Sequence, residues 1–148
     1  MKKLFYVFLL VLFNSCVERT GYYETGEKEI IGNLTNNKSW ERDYHAKLEN
    51  GDEMDIHEIW TFKDNAKGSY SSTTTYTDGK VHNNLTYFQW SFTTPDFSVI
   101  YMDYGLYWEI DELTPNTLHI YETYNDPVTV HGQPYRDYQK FQATLHSK

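Results

Sequence analysis

Glu58-Ile59-Trp60-Thr61-Phe62-Lys63-Asp64-Asn65-Ala66-Lys67-Gly68-Ser69-Tyr70-Ser71-Ser72 is the stretch that decides the fold. Two alternating runs flank a polar turn at 63–67. If they form an antiparallel hairpin, Phe62 faces Gly68, Trp60 faces Tyr70 and Glu58 faces Ser72. Side chains on a strand alternate with a period of two, so a slip of one residue would scatter these rings over both faces. Their coincidence on one face predicts β structure here.

The same pattern continues in both directions. Candidate strands fall at 39–46, 53–62, 68–77, 81–93, 97–103, 106–112, 117–124 and 136–146, divided by turn-forming segments such as Asn50-Gly51-Asp52, Asp78-Gly79, Thr94-Pro95-Asp96 and Thr114-Pro115-Asn116. Pairing the first two strands places Trp40 opposite Trp60, Arg42 opposite Glu58 and Tyr44 opposite Ile56. A four-residue turn at 93–96 places Phe92 opposite Phe97, Trp90 opposite Val99 and Phe88 opposite Tyr101. A turn at Tyr104-Gly105 then places Tyr101 opposite Trp108 and Val99 opposite Ile110, and one near Thr114 places Ile110 opposite Leu118 and Trp108 opposite Ile120. Sequential hairpins throughout predict an all-β, eight-stranded antiparallel up-and-down barrel. One joint is out of phase. A two-residue Asp78-Gly79 turn faces Tyr76 with Val81 and puts Phe88, Trp90 and Phe92 on the wrong side, so a β-bulge near Leu85–Tyr87 is expected. A short helix fits Ile30–Asn37, while Pro127, Gly132 and Pro134 make 125–135 a loop.

The 148 residues suit a single domain with its own core. A formal charge of −8 argues against a nucleic-acid partner, which needs clustered Lys and Arg. The 14 Tyr, 8 Phe and 4 Trp argue against disorder. A single cysteine excludes an internal disulfide framework and any Cys-based zinc site.

That cysteine follows Met1-Lys2-Lys3, the ten apolar residues Leu4–Phe13, and Asn14-Ser15. A basic start and an apolar run of this length read as a secretory signal peptide, too short to cross a ~30 Å hydrocarbon core. Ser15-Cys16, with Leu12 upstream, resembles the lipobox of bacterial lipoproteins. The resemblance implies that residues 1–15 are removed, that the Cys16 thiol is diacylglycerated and that the new amino terminus is acylated, for example with palmitate. Two or more chains give stable anchoring where one would not. The protein is then expected at the bacterial cell envelope, anchored to the outer membrane, with the side of the membrane left open. Removal of residues 1–15 takes Lys2 and Lys3 but no acid, leaving 133 residues with a formal charge of −10. Residues 16–29 read as a flexible tether with a reach of ~20 Å, and 30–148 as the barrel domain.

Three motifs carry a further resemblance: Trp60-Thr61-Phe62 with Gly68-Ser69-Tyr70, Phe88-Gln89-Trp90, and the segment Tyr107-Trp108-Glu109-Ile110 continuing through Leu113-Thr114 to Leu118-His119-Ile120. Together they resemble the lipocalin-like domains of small Gram-negative lipoproteins. Gly32 and Trp40 are too widely spaced for the Gly-x-Trp signature of true lipocalins. The resemblance implies a fold and, at most, a class of function.

An eight-stranded barrel is either filled by its own side chains or holds one small ligand. The expected inner phase contains Trp40, Trp60, Trp90, Trp108, Phe62, Phe88, Phe92, Tyr44, Tyr70, Tyr76 and Tyr101, which favours filling. The same phase also contains Arg42, Glu58, Ser72, Thr74 and Glu122. A charge buried alone is very costly, so these residues predict either a paired interior cluster or a wet cavity. Arg42, Glu58, Trp60, Tyr70, Trp108 and Glu122 are therefore the candidate ligand-binding residues, with a small apolar or amphipathic molecule or a sugar as ligand. The alternative is a filled barrel that meets a protein partner through outer tyrosines such as Tyr87, Tyr104, Tyr107 and Tyr121. Catalytic signals are weak. The six His residues are scattered, two of the three acids Glu109, Asp111 and Glu112 share one outer face, and no nucleophile elbow, phosphate loop or dinucleotide fingerprint is present. No enzyme activity, metal or cofactor is expected, and the oligomeric state is left open.

Overall fold

The structure is a computed structural model that describes residues 25–147. The expected signal segment 1–15, Cys16 and residues 17–24 of the expected tether lie outside the described residues. Helix α1 occupies Thr25–Thr35, so the last five residues of the expected tether are helical and the helix starts ahead of Ile30. Leu34 on its inner side is fully buried, and its carbonyl accepts the Trp40 indole N–H at 3.0 Å. That bond ties the helix to the first strand.

Eight strands follow: β1 Lys38–Lys47, β2 Glu53–Phe62, β3 Lys67–Tyr76, β4 Val81–Phe92, β5 Val99–Met102, β6 Leu106–Leu113, β7 Thr117–Thr123 and β8 Asp137–Leu145. Each pairs antiparallel with the next, and β8 returns to β1 to close the barrel. The β1–β2 and β2–β3 registers match the sequence expectation residue for residue, including Arg42 opposite Glu58 and Phe62 opposite Gly68.

The later registers differ from expectation, and the turns explain why. No bulge interrupts β3–β4. The ladder runs regularly through Tyr70–Thr86, which overturns the irregularity expected at Leu85–Tyr87. The connection is a three-residue turn, closed by Tyr76 N–H to Lys80 O at 2.9 Å, with Gly79 at φ +83°. A glycine in this left-handed region supplies the extra residue at no steric cost and returns Phe88 and Trp90 to the inner face. Gly105, at φ +87°, does the same between β5 and β6, so Ile100 rather than Tyr101 faces Trp108. Between β4 and β5, Thr94 Oγ1 accepts the Ser98 and Val99 amides and Phe97 sits at φ +58°, which widens the loop. Phe92 therefore pairs with Ile100 and Trp90 with Met102, while Phe97 stacks on Phe92 from the loop with centroids 4.5 Å apart. Tyr101 consequently points outward, against Tyr107. In β6–β7, Trp108 faces Glu122 and Ile110 faces Ile120, two residues from expectation but in the same phase, and the ladder shifts between Ile110 and Glu112.

Ladder lengths shape the interior. β1 meets β8 only over Lys38–Glu41, and β4 meets β5 only over Trp90–Phe92. Both contacts lie at the end of the barrel that carries α1. Towards the other end the sheet β1–β4 and the sheet β5–β8 separate, leaving a mouth framed by the β1–β2, β3–β4 and β5–β6 turns and the 124–136 loop. Trp60, Phe62, Phe88, Trp90, Trp108 and Phe141 form a plug across the middle, with Trp108 centroids 4.6 Å from Trp60 and 5.2 Å from Phe141. The barrel is thus filled at the capped half and hollow at the open half.

Candidate functional site

The hollow half is a cavity of about 840 Å³. Its wall is built from seven of the eight strands, all but β5, largely from inner positions, because every second residue on each strand turns inward. β1 contributes Arg42 and Tyr44, β2 Glu58 and Trp60, β3 Tyr70, β4 Asn84 and Thr86, β6 Leu106, β7 Glu122, and β8 Asp137 and Gln139. Of the six predicted ligand-binding residues, Arg42, Glu58, Trp60, Tyr70 and Glu122 line this one space. Trp108 lies beneath it, fully buried, and reaches the site through its indole N–H, which donates to Glu122 Oε2 at 3.0 Å. The grooves that flank α1 at the capped end, about 610 and 570 Å³, contain none of the six.

Glu58 is the hub of the β1–β3 wall. Its Oε2 accepts Arg42 Nε at 2.6 Å, and its Oε1 accepts the hydroxyls of Tyr44 at 3.1 Å and Tyr70 at 3.0 Å. Arg42 also lies over the Tyr44 ring, at 4.4 Å, and over Phe141, at 5.2 Å. The Glu58 residue is 5% exposed, so only this full set of donors makes the burial of its carboxylate tolerable. Burial first, and the Glu58 charge with it, push the Tyr44 and Tyr70 hydroxyls up to about 12. Both phenols therefore remain donors at neutral pH.

Glu122 is the hub of the opposite wall. Tyr135 OH donates to its Oε1 at 3.2 Å, alongside the Trp108 bond. Burial raises its pKa above the ordinary 4.5, and these two hydrogen bonds only partly offset the rise. The folded state then holds this proton more tightly than the unfolded chain. The resulting contribution to stability is complete below the ordinary value and declines as pH rises through the raised one. Glu122→Gln keeps an acceptor for Trp108 and cannot ionise. Its urea midpoint, relative to the parent chain, is expected to climb between pH 4 and pH 8, and a difference independent of pH would contradict this.

Sequence reasoning missed Tyr124, Tyr135, Asp137 and Gln139, and it expected Tyr104 on the outer surface; all five line the cavity. Tyr104 stands at the β5–β6 turn and meets Phe88 edge-on at 5.9 Å, and burial raises its hydroxyl pKa. Tyr124 and Tyr135 stack at 4.6 Å in the loop over the mouth. Strand alternation cannot place loop residues such as these. Asp137 and Gln139, by contrast, are accessible from the inward phase of β8. Tyr76 is 36% exposed at the barrel rim, away from the packed rings among which it is expected. Tyr87, Tyr107 and Tyr121 do lie on the outside, with Arg136 3.4 Å above the Tyr121 ring. The acids of β6 are engaged there as well, Glu109 with Arg136 at 3.2 Å and Asp111 with Tyr138 OH at 2.9 Å.

Fold and site together define a closed eight-stranded antiparallel barrel with a capped end and a ring-lined, charged cavity at the other. Compared with known proteins, the chain matches no family model, no curated protein and no solved structure.

Proposed function

We propose that the protein is a lipid-anchored, non-enzymatic lipoprotein of the bacterial cell envelope whose lipocalin-like barrel binds one small apolar or amphipathic ligand in the open-end cavity. The observation that carries this reading is the convergence of Arg42, Glu58, Trp60, Tyr70 and Glu122 on a space of about 840 Å³. Ligand sites of roughly 300–1,000 Å³ combine apolar and aromatic walls with a few fixed polar groups in this way. The anchor rests on the Ser15-Cys16 motif behind the apolar leader.

Two measurements test the two halves of the proposal. Native mass spectrometry of the chain isolated from producing cells is expected to show an additional bound mass, lost on denaturation. A bare mass would favour the reading in which Tyr87, Tyr107 and Tyr121 meet a protein partner. Labelled palmitate is expected to enter the chain and to be absent from Cys16→Ala. Label retained in that variant would refute anchoring at Cys16.

A further inference from the structure

The cavity lining carries three acids, Glu58, Glu122 and Asp137, against one cation, Arg42. Glu122 and Asp137 are direct cross-strand partners, a placement in which like charges repel. Both side chains line the cavity. The oxygens of Glu122 accept from neutral donors, the Trp108 indole and the Tyr135 hydroxyl. Among the described residues no lysine or arginine pairs with either acid, since Arg42 is engaged by Glu58 and Arg136 by Glu109 on the outside.

Two orphaned atoms give an independent indication. Gln139 Oε1 and Trp60 Nε1 have no hydrogen-bond partner among the described residues. Both side chains line the cavity, in residues only 3% and 4% exposed. The orientation of the Gln139 amide is set by its nitrogen, which donates to Asp137 Oδ2 at 3.0 Å, so the free atom is an acceptor. An unmet buried donor or acceptor costs about 1–3 kcal/mol, which a ligand group that reached it through a small shift of the side chain would relieve. The β7–β8 wall therefore offers acceptors, while the one unmet buried side-chain donor among the described residues belongs to Trp60 on β2. The stacked rings of Tyr124 and Tyr135 add aromatic surface to the same lining, and such faces attract cations.

From this geometry we infer that the cavity takes an organic ammonium compound, a primary or secondary amine on an apolar or aromatic body. Its nitrogen sits among Glu122, Asp137 and Gln139 Oε1, and a neutral oxygen of the ligand accepts the Trp60 N–H. The inference rests on the ligand-binding reading above and names its chemical class. A fatty carboxylate would add negative charge to a wall that already repels it. A neutral sugar could satisfy Gln139 and Trp60 but would leave the acid pair unneutralised.

Titration calorimetry of the full chain in neutral detergent tests this with three probes of similar size: 2-phenylethylamine, 2-phenylethanol and 3-phenylpropanoate. The amine is expected to bind about tenfold more tightly than the alcohol, and the carboxylate most weakly. Glu122→Gln and, at the mouth, Asp137→Asn are each expected to weaken amine binding about fivefold or more while leaving the alcohol within about twofold. Asp137 is exposed, so its variant remains informative if Glu122→Gln folds poorly. Alcohol or carboxylate binding as tight as the amine, or no binding of the amine, overturns the ammonium assignment. The cavity reading is judged separately, by the bound mass in native mass spectrometry.

Discussion

Arg42→Met alone is expected to lower the unfolding free energy by about 3–5 kcal/mol, because it leaves the Glu58 carboxylate buried without its cation. The Arg42 and Glu58 side chains are 18% and 7% exposed and meet at 2.6 Å, so solvent screens the pair little. Methionine retains most of the aliphatic stem but gives up the guanidinium contacts with the Tyr44 and Phe141 rings, so the loss includes them as well as the ion pair. Replacing both residues, as Arg42→Met with Glu58→Leu, is expected to recover most of the loss, since an apolar pair of similar volume avoids desolvating either ion. The remaining deficit would come from the Tyr44 and Tyr70 hydroxyls, which lose their common acceptor and turn to cavity water. Urea unfolding of the parent, both single variants and the double variant gives the coupling directly. A double variant as unstable as Arg42→Met would show that packing, and not an unpaired charge, accounts for the loss. The double variant would also lose the polar floor of the β1–β3 wall, so undiminished capture of a bound molecule would place the ligand elsewhere.

Gly68→Val is expected to cost about 3 kcal/mol or more, and Gly68→Ala somewhat less, through overpacking. A Cβ at this position would stand 2.3 and 2.5 Å from atoms of the Phe88 ring and 2.7 Å from the Thr61 carbonyl oxygen. Neither neighbour yields easily. Phe88 is held by Phe62 at 5.6 Å and Trp60 at 5.9 Å, and Thr61 is fixed in the β2–β3 ladder opposite Ser69. Gly68 is the partner of Phe62 on one side and of Phe88 on the other, so its missing side chain is the space into which Phe88 packs. Thermal unfolding checks the loss. Phe88→Leu introduced into Gly68→Ala is expected to restore part of it, and no restoration would place the strain at the Thr61 carbonyl.

Gly68 also marks where the sequence is legible. The stretch from Glu58 to Ser72 encodes its own register because rings and small residues alternate on both sides of a five-residue turn, and any slip would expose Trp60 or Phe62. The β1–β2 ladder is readable for the same reason, and strand alternation alone is enough to bring Arg42 and Glu58 together. Asp78-Gly79 and Tyr104-Gly105 mislead because a glycine marks a turn without stating its length. Gly79 and Gly105 both adopt positive φ as the last residue of a three-residue loop, and one extra residue moves a whole strand to the other face. Tyr101, expected inside, thereby lies outward, while Ile100 and Met102 take the buried positions. Tyr104, Tyr124 and Tyr135 are beyond the reach of alternation because loops carry no periodicity.

By itself, the sequence determined the strand count, the order of hairpins, the inward aromatic phase of β2 and the opposition of Arg42 to Glu58. All of these follow from local alternation and short turns, where the physics acts within one hairpin. Only the tertiary structure decided that the barrel is half filled and half open. That outcome depends on where β8 stops pairing with β1 and β5 with β4, contacts between residues far apart in the chain or separated by an irregular loop. Residue bulk pointed to a solid interior, but volume alone does not say where the side chains gather. The rings collect beneath α1 and across the middle, where the ladders draw the two sheets together, and the charged groups are left around the space that opens beyond them.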